Sequence, residues 1–109
     1  MLIDGVNVEY PDSLDKLVVA LCADFKRRDD AVKNDNASKR SIMEYVYLNE
    51  RIMDAASEIC SSGFALHFIN DIATSTGYVN SNVKYICESA YKKNKKLIKY
   101  NIARKLHLI

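Results

Sequence analysis

The sequence predicts an all-α fold, a compact bundle of about four helices within one domain, and three observations lead there. Of the 109 residues, 49% are hydrophobic and 28% are charged, a balance suited to a packed soluble chain. Only three Gly and one Pro interrupt it. Apolar residues recur at spacings of three and four through most of its length, the period of a helix with one buried face. A chain of this size fills a single core.

Each element has its own signal. MLIDGVNVEY alternates weakly between apolar and polar residues, with Asp4 and Gly5 as a turn, so residues 1–11 read as a flexible or extended arm with no assigned role. Pro11, Asp12 and Ser13 start the first helix, and Asp15 adds negative charge where the helix dipole favours it. Leu14, Leu17, Val18, Leu21, Cys22 and Phe25 form its apolar stripe, with Asp24, Asp29 and Asp30 on a solvated face. It ends after Arg28, before the loop NDNAS. Ser41 and Glu44 then stand three apart as a capping box for a second helix. That helix buries Ile42, Tyr45, Val46, Ile52, Ala56, Ile59 and Cys60 and closes at Ser61, Ser62 and Gly63. Asn49 shares the buried row and is expected to be a hydrogen-bonded core amide. A short third helix over 65–75 buries Leu66, Ile69, Ile72 and Ala73. The fourth starts at Asn80 or Ser81, either of which can cap it, and runs to the end without Gly or Pro, a length of about 40 Å at 1.5 Å per residue.

Enzyme chemistry is nearly silent. Cys22, Cys60 and Cys87 lie far apart on apolar helix faces and read as three buried thiols in a reducing compartment, not as zinc ligands. His67 and His107 are forty residues apart, with no acid or thiol at ligand spacing. No glycine-rich phosphate loop is present. The chain is therefore expected to be no enzyme and to need no metal, cofactor or small-molecule substrate. The longest strongly apolar run, residues 17–23, is far short of the roughly 20 residues a membrane crossing takes, so a cytoplasmic protein with no membrane partner is expected.

Charge points to a binding function. The net charge is only +2, but from Tyr78 onward eight Lys or Arg face one acid, Glu88, so that part carries 8 − 1 = +7 and residues 1–77 carry 2 − 7 = −5. Such asymmetry points to a polyanionic partner. Like charges at Lys92 and Lys96, and at Lys95 and Lys99, stand four apart and weaken an isolated helix by a few tenths of a kcal/mol per pair, roughly, so helix stability does not explain the cluster.

The junction before the lysines carries a pattern of its own, DIATSTGYVNSNVKYI. Counting from Ala73, Gly77 is four on, Val83 ten on and Ile86 thirteen on, with Ile72 just before. This spacing resembles the helix-turn-helix over residues 69–88, and the stretch 66–99 resembles the last region of RNA polymerase sigma factors. In that motif the small residue allows close helix approach, glycine takes the positive φ of the turn and the later apolar positions pack the second helix on the first. Thr76 departs from the family, which usually places an aliphatic residue there. The resemblance implies double-stranded DNA as partner and a fourth helix whose start reads the major groove with Asn80, Ser81, Asn82, Lys84, Tyr85 and Glu88. Lys92, Lys93, Lys95, Lys96 and Lys99 would contact phosphates. A transcriptional regulator or a mobile-element factor is the corresponding role, and the chain also resembles small proteins of Gram-positive bacteria and their phages. The second reading is a helical adaptor that binds a protein through the basic helix or through the ridge of Ile98, Ile102, Leu106 and Ile109, which either folds back on the bundle or pairs in a homodimer.

Overall fold

The computed structural model describes residues 1–3, 5–78 and 86–109. Among the described residues the chain forms a small antiparallel hairpin, β1 (Leu2–Ile3) and β2 (Val6–Asn7), and five helices. These are α1 (Asp12–Ala23), α2 (Phe25–Lys33), α3 (Lys39–Ser57), α4 (Ser62–Thr74) and α5 (Glu88–Lys105). The fold is an all-α bundle, as the periodicity predicts. The first expected helix is present as two segments, because Asp24 at φ −91°, ψ 0° leaves the helical region between α1 and α2.

The core lies where α4 packs on α1 and α3 while α5 covers α3 and α1. Val18, Ile52, Phe68, Ile69, Ile72, Tyr91, Ile98 and Ile102 are its largest fully buried side chains. Each contributes about 1.5–3 kcal/mol by leaving water. Leu17 and Leu66, expected inside, are 45% and 46% exposed, since each lies at the edge of its stripe, beyond the reach of a facing helix. The ridge of α5 is used within the chain: Ile98 and Ile102 are buried, Leu106 packs against the core, and Ile109 alone of the four is exposed.

Asn49 is half-buried and hydrogen-bonded, as the expected amide of its row should be. Arg28 Nε donates to Asn49 Oδ1 at 2.8 Å and Asn49 Nδ2 donates to the Phe25 carbonyl at 3.1 Å, so this residue staples α2 to α3. Arg28 itself is buried, with further bonds to the Leu21 carbonyl at 2.5 Å and to Asp24 at 3.3 Å.

Three boundaries differ from expectation. The cap of α3 is Ser38, whose Oγ accepts from the Ser41 N–H at 3.2 Å, so Ser41 sits inside the first turn and Glu44 pairs instead with Arg40 at 3.7 Å. Helix α3 stops at Ser57, and Ser61, Ser62 and Gly63 open α4 where they were expected to close α3. The last helix begins at Glu88, not at Asn80 or Ser81. The thiols also differ: Cys22 is buried, Cys60 half-buried and Cys87 exposed, because Cys87 falls at the N-cap of α5 and not on a helix face. Among the described residues no helix is long and apolar enough to cross a membrane.

Candidate nucleic-acid interface

The start of α5 is set from α4. That helix ends at Ser75, a non-glycine residue in the left-handed region at φ 55°, and Gly77 follows at φ +77°. The positive φ expected of Gly77 is thus present, and an L side chain there would strain the backbone. Thr76, the position that departs from the helix-turn-helix pattern, is exposed, with its hydroxyl 2.5 Å from that of Thr74. Further on, the Tyr78 hydroxyl donates to the Ile86 carbonyl at 2.8 Å, and Cys87 adopts an extended conformation at φ −73°, ψ 160°. Residues 75–87 lie between the end of α4 and the start of α5, and residues 79–85 of that interval lie outside the described residues.

A buried carboxylate holds this junction together. Asp71 on α4 is only 2% exposed and accepts from the Tyr91 hydroxyl, from the Gly77 N–H at 2.9 Å and from Lys95 Nζ at 3.0 Å. Burial alone would raise its pKa; these three donors outweigh burial and hold it below the usual carboxylate range. Tyr91 stacks on Phe68 with ring centroids 4.7 Å apart, and its hydroxyl also lies 3.2 Å from His67 Nε2. The hydroxyl proton goes to Asp71, so His67 donates from Nε2 to the tyrosine oxygen. The contact of Asp71 with Tyr91 and Lys95 escaped the sequence reading, although one signal was there: Lys95 lies four residues after Tyr91 and three before Ile98, on the buried row of α5.

The same periodicity divides the lysines. At 100° per residue, Lys93, Lys96, Leu97, Tyr100 and Arg104 share the side of α5 opposite Tyr91, Ile98 and Ile102. Lys92, Lys93, Lys96 and Arg104 are exposed. Lys95 and Lys99, expected to contact phosphates, turn inward: Lys95 pairs with Asp71, and Lys99 pairs with Asp15 at 3.0 Å, each with a side chain about one-fifth exposed (21% and 22%). Glu88, at the first turn of α5, is the only acid on that helix and pairs with Lys92 at 3.2 Å. The N-terminal hairpin borders the lysine face, where a groove of about 480 Å³ runs between Leu2, Ile3 and Gly5 on one side and Lys92, Lys93 and Lys96 on the other.

Of the residues implied to read bases, only Glu88 belongs to α5; Asn80, Ser81, Asn82, Lys84 and Tyr85 lie outside the described residues, as does the packing residue Val83. Of the other packing positions, Ile72 is buried, and Ala73 and Ile86 are half-buried against the core. Among the described residues no group of His, Cys, Asp and Glu is arranged to hold a metal ion. No protein-family model, curated protein or solved structure matches this chain.

Proposed function

We propose that this protein binds double-stranded DNA through the outward face of α5, in a regulatory or mobile-element role. The observation that supports it is the composition of that face: Lys93, Lys96 and Arg104, flanked by Lys92, extend along one side of a helix whose only acid is Glu88 at its start. From Lys93 to Arg104 is eleven residues, about 16 Å at 1.5 Å per residue, a reach that covers several phosphates of one strand. Lys92, Lys93 and Lys96 supply the phosphate contacts in this reading, while Lys95 and Lys99 hold the helix in place. Base reading falls to the polar residues just before α5, Asn80, Ser81, Asn82, Lys84 and Tyr85, together with Glu88. Much of the sigma-type motif falls on residues 79–85, outside the described residues, so the proposal rests on the charge of the helix and not on that motif. The adaptor reading loses one of its two surfaces, because Ile98 and Ile102 are spent on the protein's own core, and keeps the basic helix.

Titration of duplex DNA binding against salt tests it. Neutralising three lysines, in the triple variant Lys92→Gln, Lys93→Gln and Lys96→Gln, should make the log–log slope of affinity against salt shallower by roughly 2 to 3. Absence of duplex binding at low salt ends the proposal.

A further inference from the structure

At the opposite end of α5 a second basic groove opens between that helix and α3, with a volume of about 520 Å³, and its lining includes Tyr47, Arg51, Glu58, Arg104, Lys105 and His107. Arg51 Nε is buried and has no hydrogen-bond partner, the one such side-chain atom among the described residues. Only this atom is shut from solvent, since the Arg51 side chain as a whole is 38% exposed, but a buried donor without an acceptor is costly and native folds rarely leave one. The guanidinium lies over the Tyr47 ring at 5.4 Å, and its nearest carboxylate, the exposed Glu50, reaches only Nη2 at 4.0 Å.

The charges of the groove do not cancel. Arg51, Arg104 and Lys105 face one carboxylate, Glu58, and both oxygens of Glu58 are occupied, one by Lys105 and the other by Asn101 Nδ2 at 2.8 Å. Arg104 is exposed and makes none of these bonds. His107 enters the rim through a left-handed turn at φ 58°, in which Leu108 N–H bonds to the Ala103 carbonyl at 2.8 Å and His107 N–H to the Arg104 carbonyl at 3.1 Å. Glycine is the usual occupant of that position, so the histidine stands there against backbone preference.

We infer that this groove is a phosphate-binding site, with Arg51 and Arg104 as the charged donors, Tyr47 as the support for Arg51, and His107 as a further donor at the rim. A phosphate presents several acceptor oxygens to the accessible guanidinium nitrogens of two arginines, which offsets the excess positive charge, and the shielded Arg51 Nε–H senses the bound anion through its own guanidinium. The phosphate is either a free phosphate ester or the backbone of a nucleic acid, and the site stands whether or not the lysine face binds DNA.

Nuclear magnetic resonance titration of the full chain with inorganic phosphate, against chloride at equal ionic strength, tests the assignment. The Arg51 Nε–H resonance should shift saturably, and Arg51→Gln and Arg104→Gln should each weaken binding about tenfold or more. Arg104 is exposed, so its variant keeps the test valid should Arg51→Gln fail to fold. Repeating the titration with a short duplex separates the two sources. Saturation by phosphate with no response to duplex supports the site and assigns it to free esters, and response to both supports it and assigns it to a nucleic-acid backbone. No saturable shift with phosphate, or the same shift in Arg104→Gln, overturns the inference.

Discussion

Lys95 Nζ meets Asp71 Oδ1 at 3.0 Å, and this bond joins the basic helix to the helix before it through a carboxylate that is almost wholly buried. Removing the acceptor should be expensive. Asp71→Ala removes the acceptor shared by the Tyr91 hydroxyl, the Gly77 N–H and Lys95, and breaking a buried pair of this kind costs about 3–5 kcal/mol. Asp71→Asn retains an oxygen for Gly77 and should cost less. Urea denaturation of both variants measures the difference, and equal, small losses would show that the junction does not depend on the carboxylate.

The same carboxylate sets a pH dependence. Its pKa is depressed in the folded protein, so its contribution to stability is complete above the unfolded value of about 3.9 and is lost as pH falls through the lower folded value. Stability should therefore decline on acidification below about pH 4, with a smaller decline in Asp71→Asn. Melting curves from pH 2.5 to 6 record it, and identical profiles in the two proteins would count against the assignment.

Arg28 offers a separate test, far from the basic helix. It serves Asn49, the Leu21 carbonyl and Asp24 at once, and lysine cannot reach three such partners from one ammonium group. Arg28→Lys should lose about 1–3 kcal/mol and Arg28→Ala more, seen as lowered denaturation midpoints with unchanged DNA affinity.

The thiols should react in a fixed order. Cys87 is exposed and its pKa is lowered, first by the hydrogen bond with the Ser89 hydroxyl and then by the Ala90 N–H of the first turn of α5. Burial pushes Cys60 up and Cys22 up to about 12. At pH 7.5 a thiol reagent should modify Cys87 first, by roughly tenfold or more, and Cys22 only on unfolding. Mass spectrometry of time points checks the order, and early labelling of Cys22 would contradict its place in the core.

Lysine variants distinguish the outward side chains from the inward ones. Lys96→Gln should weaken duplex binding with stability within about 0.5 kcal/mol of the parent, whereas Lys95→Gln should lower stability by about 1–3 kcal/mol. Paired binding isotherms and melts decide this. If Lys95→Gln costs affinity and spares stability, the partition of α5 into two faces is wrong.

How much of this was legible depended on the range of the forces. The bundle, the start of α1 and the role of Asn49 follow from local spacing, because a helix carries its own period. The start of α5 does not: Asn80 and Ser81 are good cap residues, yet the described chain is non-helical at Ile86, whose carbonyl is held by the Tyr78 hydroxyl eight residues away. The helix instead begins at Glu88, whose charge suits the positive end of the helix dipole. The partition of the lysines was half legible. Lys95 falls on the buried row of α5 by count alone, but Asp71 and Asp15, its partner and that of Lys99, lie 24 and 84 residues away, beyond any local pattern.

Those distant pairs have a consequence for the unfolded chain. Asp71, Asp15 and Glu58 belong to the part with charge −5, and Lys95, Lys99 and Lys105 to the part with charge +7, so the protein is a block polyampholyte whose two blocks attract before any helix docks. Salt screens that attraction over about 10 Å at 0.1 M. The denatured ensemble should consequently swell as ionic strength rises, and the last helix, free of its acidic partners until it docks, is most open to foreign polyanions while the chain is still folding.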